Sequence, residues 1–216
     1  MSHLFVSLKD HVYNYISEQI GNGALRPDEK INEQQISDHL KISRTPVREA
    51  LIHLAAEGYI ENIPRKGFIV RPLEQPRAQE LYKIIGTLEA MAVQDAADHL
   101  GEAAVALMRE LLNQMELAIS TEAVAAYHQY QNRFHDVYID AAGNTELATL
   151  LHQLKKNFIR QGYAVSGAED ILSVLKATNA EHVRMVEFLE AKQFRALADY
   201  IRDVHWRAEQ TTYDLL

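Results

Sequence analysis

Ser43-Arg44-Thr45-Pro46-Val47-Arg48-Glu49-Ala50-Leu51, running on to Leu54 and Gly58, decides the fold of the N-terminal third of the chain. It reads as a helix with its own start signal. Thr45 is placed to cap the free N–H groups of a first turn, and Pro46 suits the N1 position, where no donor is needed. Val47, Leu51 and Leu54 follow at i, i+4 and i+7 as one apolar stripe. Arg44 and Arg48 fall off that stripe at the exposed helix start. Two guanidinium groups there suit guanine edges or phosphates in a DNA major groove. Gly58 ends the helix.

The flanking residues extend this reading. Upstream, Asn32-Glu33-Gln34-Gln35 is a capping-box pattern, with Ile36 and Leu40 as the apolar face of a second helix. Lys41-Ile42 leaves room only for a tight turn. Downstream, Tyr59–Ile63 and Phe68–Val70 are short β-rich runs around Pro64-Arg65-Lys66-Gly67. Two strands joined by a basic, Gly-containing turn predict a hairpin with a cationic tip. Helix, turn, helix and basic hairpin make a winged helix-turn-helix, an arrangement that reads DNA.

Leu25-Arg26-Pro27-Asp28-Glu29-Lys30-Ile31-Asn32-Glu33, the Ser43–Leu51 stretch, Glu57-Gly58 and Arg65-Lys66-Gly67 together resemble the N-terminal domain of GntR-family bacterial transcription regulators. The resemblance covers residues 5–72. It implies DNA contacts from Gln34, Ser43, Arg44, Thr45, Arg48, Arg65, Lys66 and Gly67. Two positions depart from the family pattern. Asp28 stands where a turn Gly is usual, and Gln34 where some members carry an Arg; Gln favours adenine edges and Arg guanine.

A chain of 216 residues suits one large domain or two small ones. There are no cysteines, which excludes a disulfide scaffold and a thiolate metal site and suits a reducing cytosol. The apolar run in Met1–Lys9 is too short for a signal peptide, and no run reaches the roughly 18 residues of a membrane span. The expectation is a cytoplasmic protein with no membrane partner. The net charge of −8 looks wrong for a DNA binder until the chain is divided. Residues 1–72 carry nine basic and nine acidic side chains, and the rest carry 13 basic and 21 acidic. The acidic part is repelled by phosphate, so local clustering of Arg44, Arg48, Arg65 and Lys66 decides DNA affinity.

The expected fold is mainly α. A first helix over 7–22 braces the winged helix-turn-helix of residues 1–71. A proline-containing linker, 72–77, leads to an all-α ligand-sensing and dimerisation domain, 78–216. Amphipathic patterns at 77–99, 102–119, 121–142, 145–165, 168–190 and 193–213 predict six helices in an antiparallel bundle. Gly101, a Ser120-Thr121 cap, Gly143-Asn144, Gly167 and a turn at Lys192-Gln193 separate them. Leu88-Glu89, Phe134-His135, Ala141-Ala142-Gly143-Asn144 and Glu181-His182 resemble the FCD domain of the family's FadR branch. Six helices point within that branch to the VanR-like subgroup.

The FCD resemblance implies an effector pocket around Ile85, Leu88, Gln131, His135, His182 and His205. Many such domains hold a divalent metal through an Asp and three His. His135 and His182 match the first two His, and imidazoles on facing helices suit Zn²⁺ or Ni²⁺. Gln131 occupies the Asp position. His205 lies 23 residues after His182, where 22 is usual, and one residue on a helix is about 100° of rotation. Val204 then takes the usual ligand direction unless a longer turn near Gln193 restores His205. Ile85 replaces the Arg that usually helps hold a carboxylate effector. These departures favour a metal-free pocket, with His135, His182 and His205 on a Zn²⁺ or Ni²⁺ ion as the alternative. Tyr127, His128 and Tyr130 are further candidates for the lining.

The function expected is therefore a sequence-specific transcription regulator, not an enzyme. It acts as a homodimer on a palindromic double-stranded operator and is controlled by a small molecule bound in the bundle. The alternative is a metal-dependent HD-type phosphohydrolase, suggested by the His135-Asp136 pair with His99 and His128 as further ligands.

Overall fold

The computed structural model describes residues 7–21, 24–26, 28–56, 58–71, 74–155 and 168–208. The chain divides into two compact units, the second beginning at Glu74.

The first unit contains α1 (Leu8–Gly21), α2 (Glu33–Leu40), α3 (Arg44–Ala56), β1 (Ile60–Ile63) and β2 (Gly67–Val70). Val12, Ile16 and Ile20 of α1 meet Ile36 of α2, Val47, Leu51 and Leu54 of α3, and Ile60, Phe68 and Val70 of the hairpin in one buried core. These are the stripes the helical and strand periods predict. Tyr15 is only half-buried and stacks on His39, with ring centroids 5.2 Å apart. The strands pair antiparallel from Ile60 opposite Val70 to Ile63 opposite Gly67.

Asn32 caps α2, its side-chain oxygen accepting from the N–H groups of Gln34 and Gln35 at 3.0 and 3.2 Å. Lys41 takes a left-handed conformation at the other end and donates its N–H to Ser37. The α3 helix starts at Arg44, two residues before the start expected from Pro46. Thr45 and Pro46 therefore lie inside the first turn. The first four N–H groups of a helix have no intrahelical partner, so proline is tolerated throughout that turn and does not mark its first residue. Gly58 (φ 81°) ends α3: its N–H reaches Ala55 and the N–H of Tyr59 reaches Leu54. That is the paired bonding of a Schellman stop, which needs a left-handed residue at this place.

One pairing has no counterpart in the sequence reading. Asp28 and Ile31 donate N–H groups to Val70 and Phe68, and Val70 donates to Glu29, so this segment lies along β2 through a single antiparallel bridge, Lys30 opposite Ile69. Asp28 (φ 62°) makes the preceding turn, and Asp is among the few non-glycine residues that visit this region.

The second unit is helical: α4 (Gln75–Asp95), α5 (Glu102–Ser120), α6 (Val124–Ala141), α7 (Thr145–Lys155), α8 (Ala168–Glu190) and α9 (Phe194–Tyr200), which runs into a π turn, Ile201–His205. Gln75, Pro76 and Arg77, expected in the linker, already belong to α4. Pro76 sits in the first turn, where its missing donor costs nothing. Ser120 and Thr121 close α5 and do not cap α6: both hydroxyls donate to the Leu117 carbonyl. Asn144 does cap α7, accepting from the N–H of Leu147 at 3.0 Å. The parts of the expected helices at 156–165 and 209–213, and the Gly167 break, lie outside the described residues. Gly86 lets α4 and the π turn touch. A Cβ there would lie 2.8 Å from the Cβ of Trp206 and 3.3 Å from the Arg202 carbonyl oxygen.

Candidate functional site

Two sites are built by these elements. In the first unit, α2, its tight turn and α3 present Gln34, Ser43, Arg44, Thr45 and Arg48, all exposed, at the two helix starts. The hairpin tip presents exposed Arg65 and Lys66 beside half-buried Gly67. The Lys66 N–H bonds to the Ile63 carbonyl at 3.0 Å, closing a turn in which Arg65 is left-handed (φ 67°). Pro64 at the second place of that turn presets the backbone. The Arg44 guanidinium is held from the side. Its Nε donates to Gln34 Oε1 at 2.6 Å, and its Nη2 donates to the same oxygen. Gln34 Nε2 in turn donates to Asp38 Oδ1 at 2.6 Å.

In the second unit, His135 of α6, His182 of α8 and His205 of the π turn converge, all buried, with one ring nitrogen from each within 4.8 Å of the others. His135 Nε2 and His182 Nε2 are 3.2 Å apart. The offset of His205 is taken up in the π turn, where the Trp206 N–H reaches the Ile201 carbonyl five residues back. A π turn holds one residue more than an α turn. The turn at Lys192-Gln193 does not lengthen: Lys192 is left-handed and the Gln193 N–H bonds back to Phe188.

Glu89 of α4 organises the centre. Its Oε2 accepts from His135 Nδ1 (2.9 Å), the Tyr138 hydroxyl (2.6 Å) and Trp206 Nε1 (2.7 Å), while Oε1 accepts from Lys155 Nζ (2.9 Å). Burial by itself would raise this carboxyl. The Lys155 ammonium, with the hydrogen bonds donated by His135 and Tyr138, outweighs burial and holds it well below the usual carboxylate range. Glu181 accepts from His205 Nδ1 at 2.9 Å. With Nδ1 donating, His135 and His205 each keep Nε2 as a bare lone pair, the arrangement in which second-sphere carboxylates hold metal-binding imidazoles. Burial drives His135 down to about 4 and His182 well below its ordinary value, so both are neutral near neutral pH.

The other expected pocket residues fall differently. Ile85 is fully buried one turn before Glu89, Leu88 is half-buried, and Gln131 accepts from His128 Nδ1 at 3.3 Å. Tyr127 is buried with its hydroxyl unpartnered among the described residues, and Tyr130 is half-buried. Glu89, Tyr138, Lys155, Glu181 and Trp206 were not anticipated as site residues. A signal for two of them exists. Glu89 continues the buried α4 series Leu81, Ile85, and Lys155 continues Leu147, Leu151, so each is a charge in core phase, and such charges pair. The phosphohydrolase set does not assemble. Asp136 Oδ1 bonds His152 Nε2 at 3.0 Å, away from His135, His99 is exposed, and His128 faces Gln131.

Fold and sites thus define a two-part protein, a winged helix-turn-helix head and a helical unit with a buried polar centre. Residues 8–70 match the family description "Bacterial regulatory proteins, gntR family", and residues 80–205 match the FCD domain. The chain belongs to the GntR family and carries its FCD domain. It is 33% identical over 144 residues to the uncharacterized HTH-type transcriptional regulator YdhC of Bacillus subtilis, covering 66% of this chain and 64% of that protein. It is 33% identical over 113 residues to the HTH-type transcriptional regulator McbR of Escherichia coli, covering 52% and 51%. The matches therefore span about half to two thirds of those relatives' own length. Among solved structures, E. coli McbR/YncC superimposes with a TM-score of 0.75 at 22% identity over 98% of both chains, a likeness of fold.

Proposed function

We propose that the chain is an effector-controlled transcription regulator that binds a palindromic operator as a homodimer, one reading head per half-site. The observation that carries this is the placing of Arg44 at the exposed start of α3 and Arg48 one turn further on, also exposed, with Arg65 and Lys66 on the adjoining hairpin tip. The α3 start enters the major groove, and the hairpin tip lies on the minor groove or the backbone. The matching of both units to families of regulators supports the same reading. The six helices described in the second unit support the VanR-like subgroup.

The residues of the second unit fit a divalent ion such as Zn²⁺ or Ni²⁺, and His135, His182 and His205 would hold it. Two Nε2 lone pairs 3.2 Å apart suit two nitrogens on one ion at roughly 2.0–2.1 Å. A single shared proton satisfies one pair of nitrogens, whereas the buried His182 Nδ1 has no hydrogen-bond partner among the described residues. A bound ion supplies positive charge to hold an anionic group of an effector. Glu89 and Glu181 fix the imidazoles in the ligating tautomer, and Phe134, edge-on to His182 at 4.9 Å, shields them from water.

The test is binding to an operator selected from random duplexes, at matched salt. Arg48→Ala should weaken binding by about 1–3 kcal/mol if its contact is bidentate to a base. Sedimentation at micromolar concentration should show a dimer. Unchanged affinity of Arg48→Ala would remove it from the interface, and a monomer binding its site tightly would count against paired heads.

A further inference from the structure

We propose that Gln34 is a positioning residue for Arg44 and does not itself read a base. The proposal rests on the reading above, in which Arg44 enters the major groove.

The two residues stand at the starts of α2 and α3, on either side of the tight turn. Gln34 Oε1 accepts from both Nε and Nη2 of Arg44, which uses the side edge of the guanidinium. A guanidinium has five donors in a planar fork. Three remain, at the Nη1/Nη2 end. Two parallel donors at that end are what guanine O6 and N7 accept.

The amide is itself held. Gln34 Nε2 donates to Asp38 Oδ1 one helical turn along α2. The chemistry fixes the amide's orientation, because reversing it would set NH₂ against the guanidinium and oxygen against the carboxylate. An adenine contact requires the same oxygen to accept and the same NH₂ to donate. Both lone pairs of the oxygen are taken by Arg44, so Gln34 makes the paired adenine contact only by releasing Arg44.

The chain Asp38–Gln34–Arg44 therefore fixes in the free protein a long side chain that would otherwise be fixed only on the DNA. All three residues are exposed, so their substitution leaves the core of the head untouched. The chain also separates two effects of position 34. Specificity at the guanine read by Arg44 depends on Gln34, while no second base pair answers to it.

The experiment uses the full chain and its selected operator. Fluorescence anisotropy gives affinities for the operator and for all single-base variants of one half-site, at several salt concentrations. The proteins are the parent, Arg44→Ala, Gln34→Ala and Gln34→Glu, each checked for folding by circular dichroism. Arg44→Ala should erase a guanine preference at one base pair. Gln34→Ala should weaken binding by about fivefold and flatten the preference at that same base pair. Other positions and the salt slope should stay as in the parent. Gln34→Glu should keep the guanine preference, since a carboxylate receives the same edge of Arg44. A Gln34→Ala profile that changes at a different base pair would make Gln34 a base reader and overturn the proposal. A profile identical to the parent would also overturn it, while leaving Arg44 as a DNA contact. An unchanged Arg44→Ala would overturn the groove-reading role of Arg44 itself, and this proposal with it.

Discussion

Arg65 combines two demands that pull apart. Its φ of 67° lies in the left-handed region, where a side chain costs about 1–2 kcal/mol. Glycine would avoid that strain, though it gives back roughly 0.5–1 kcal/mol through the freedom of the unfolded chain. Arg65→Gly should therefore leave the urea midpoint unchanged or higher. It should also lower operator affinity and reduce the salt slope by about one phosphate contact. Stability and binding moving in opposite directions would show that the tip keeps a strained cation for DNA. Parent-like affinity and slope would take Arg65 out of the interface. The cations of the head were legible because each lies off an apolar stripe or in a turn. Glu89 and Lys155 were less so, because a charge at a core-phase position looks like a lapse of the pattern until its partner is known. The two residues of the pair, on different helices, are 66 residues apart in sequence.

At the scale of elements, the helices were legible from their period, while their starts and their irregular turn were not. Pro46 and Pro76 mark a first turn without fixing its first residue, because several donors there are unpartnered anyway. The π turn left no local trace: Ile201-Arg202-Asp203-Val204-His205 has the composition of any amphipathic helix end. What selects it is tertiary. It lets His205 reach Glu181 and Trp206 reach Glu89 from adjacent positions. Removing one residue should then be tolerated better than adding one. Deleting exposed Asp203 lets the five-residue ring close as an ordinary α turn, with His205 and Trp206 still inward. Inserting one alanine after Asp203 turns both by about 100° and breaks both bonds. The deletion should melt within a few degrees of the parent and the insertion well below it, with about 1–3 kcal/mol lost for each buried polar group left unpaired. Equal losses from both changes would mean that the π turn is needed for its own shape and does not merely absorb a residue.

For the whole molecule, charge and core are divided in the same place. Residues 1–72 are neutral in sum, and all eight net negative charges lie beyond them, in the part that holds the histidine centre. The head has its own buried core, so unfolding need not be a single two-state event. Metal binding in the second unit should act on that unit alone. A ligand present at 100 times its dissociation constant stabilises the state that binds it by about 2.7 kcal/mol. For a unit of this size that is a shift of roughly 5–10 °C. Protein purified without a histidine tag should therefore show a melting transition lowered by EDTA and restored by Zn²⁺ or Ni²⁺, beside a head transition that does not move. His205→Ala should remove the response to the ion, and its transition should lie near that of the EDTA-treated parent. The comparison also decides between the two pockets the sequence left open. Near-stoichiometric metal with a reversible shift establishes the three imidazoles as ligands and refers the absent arginine at position 85 to the ion's own charge. Metal-free protein whose melt ignores both EDTA and added ions would make the imidazoles hydrogen-bonding groups of a metal-free pocket. The 3.2 Å contact between His135 and His182 would then be a shared proton.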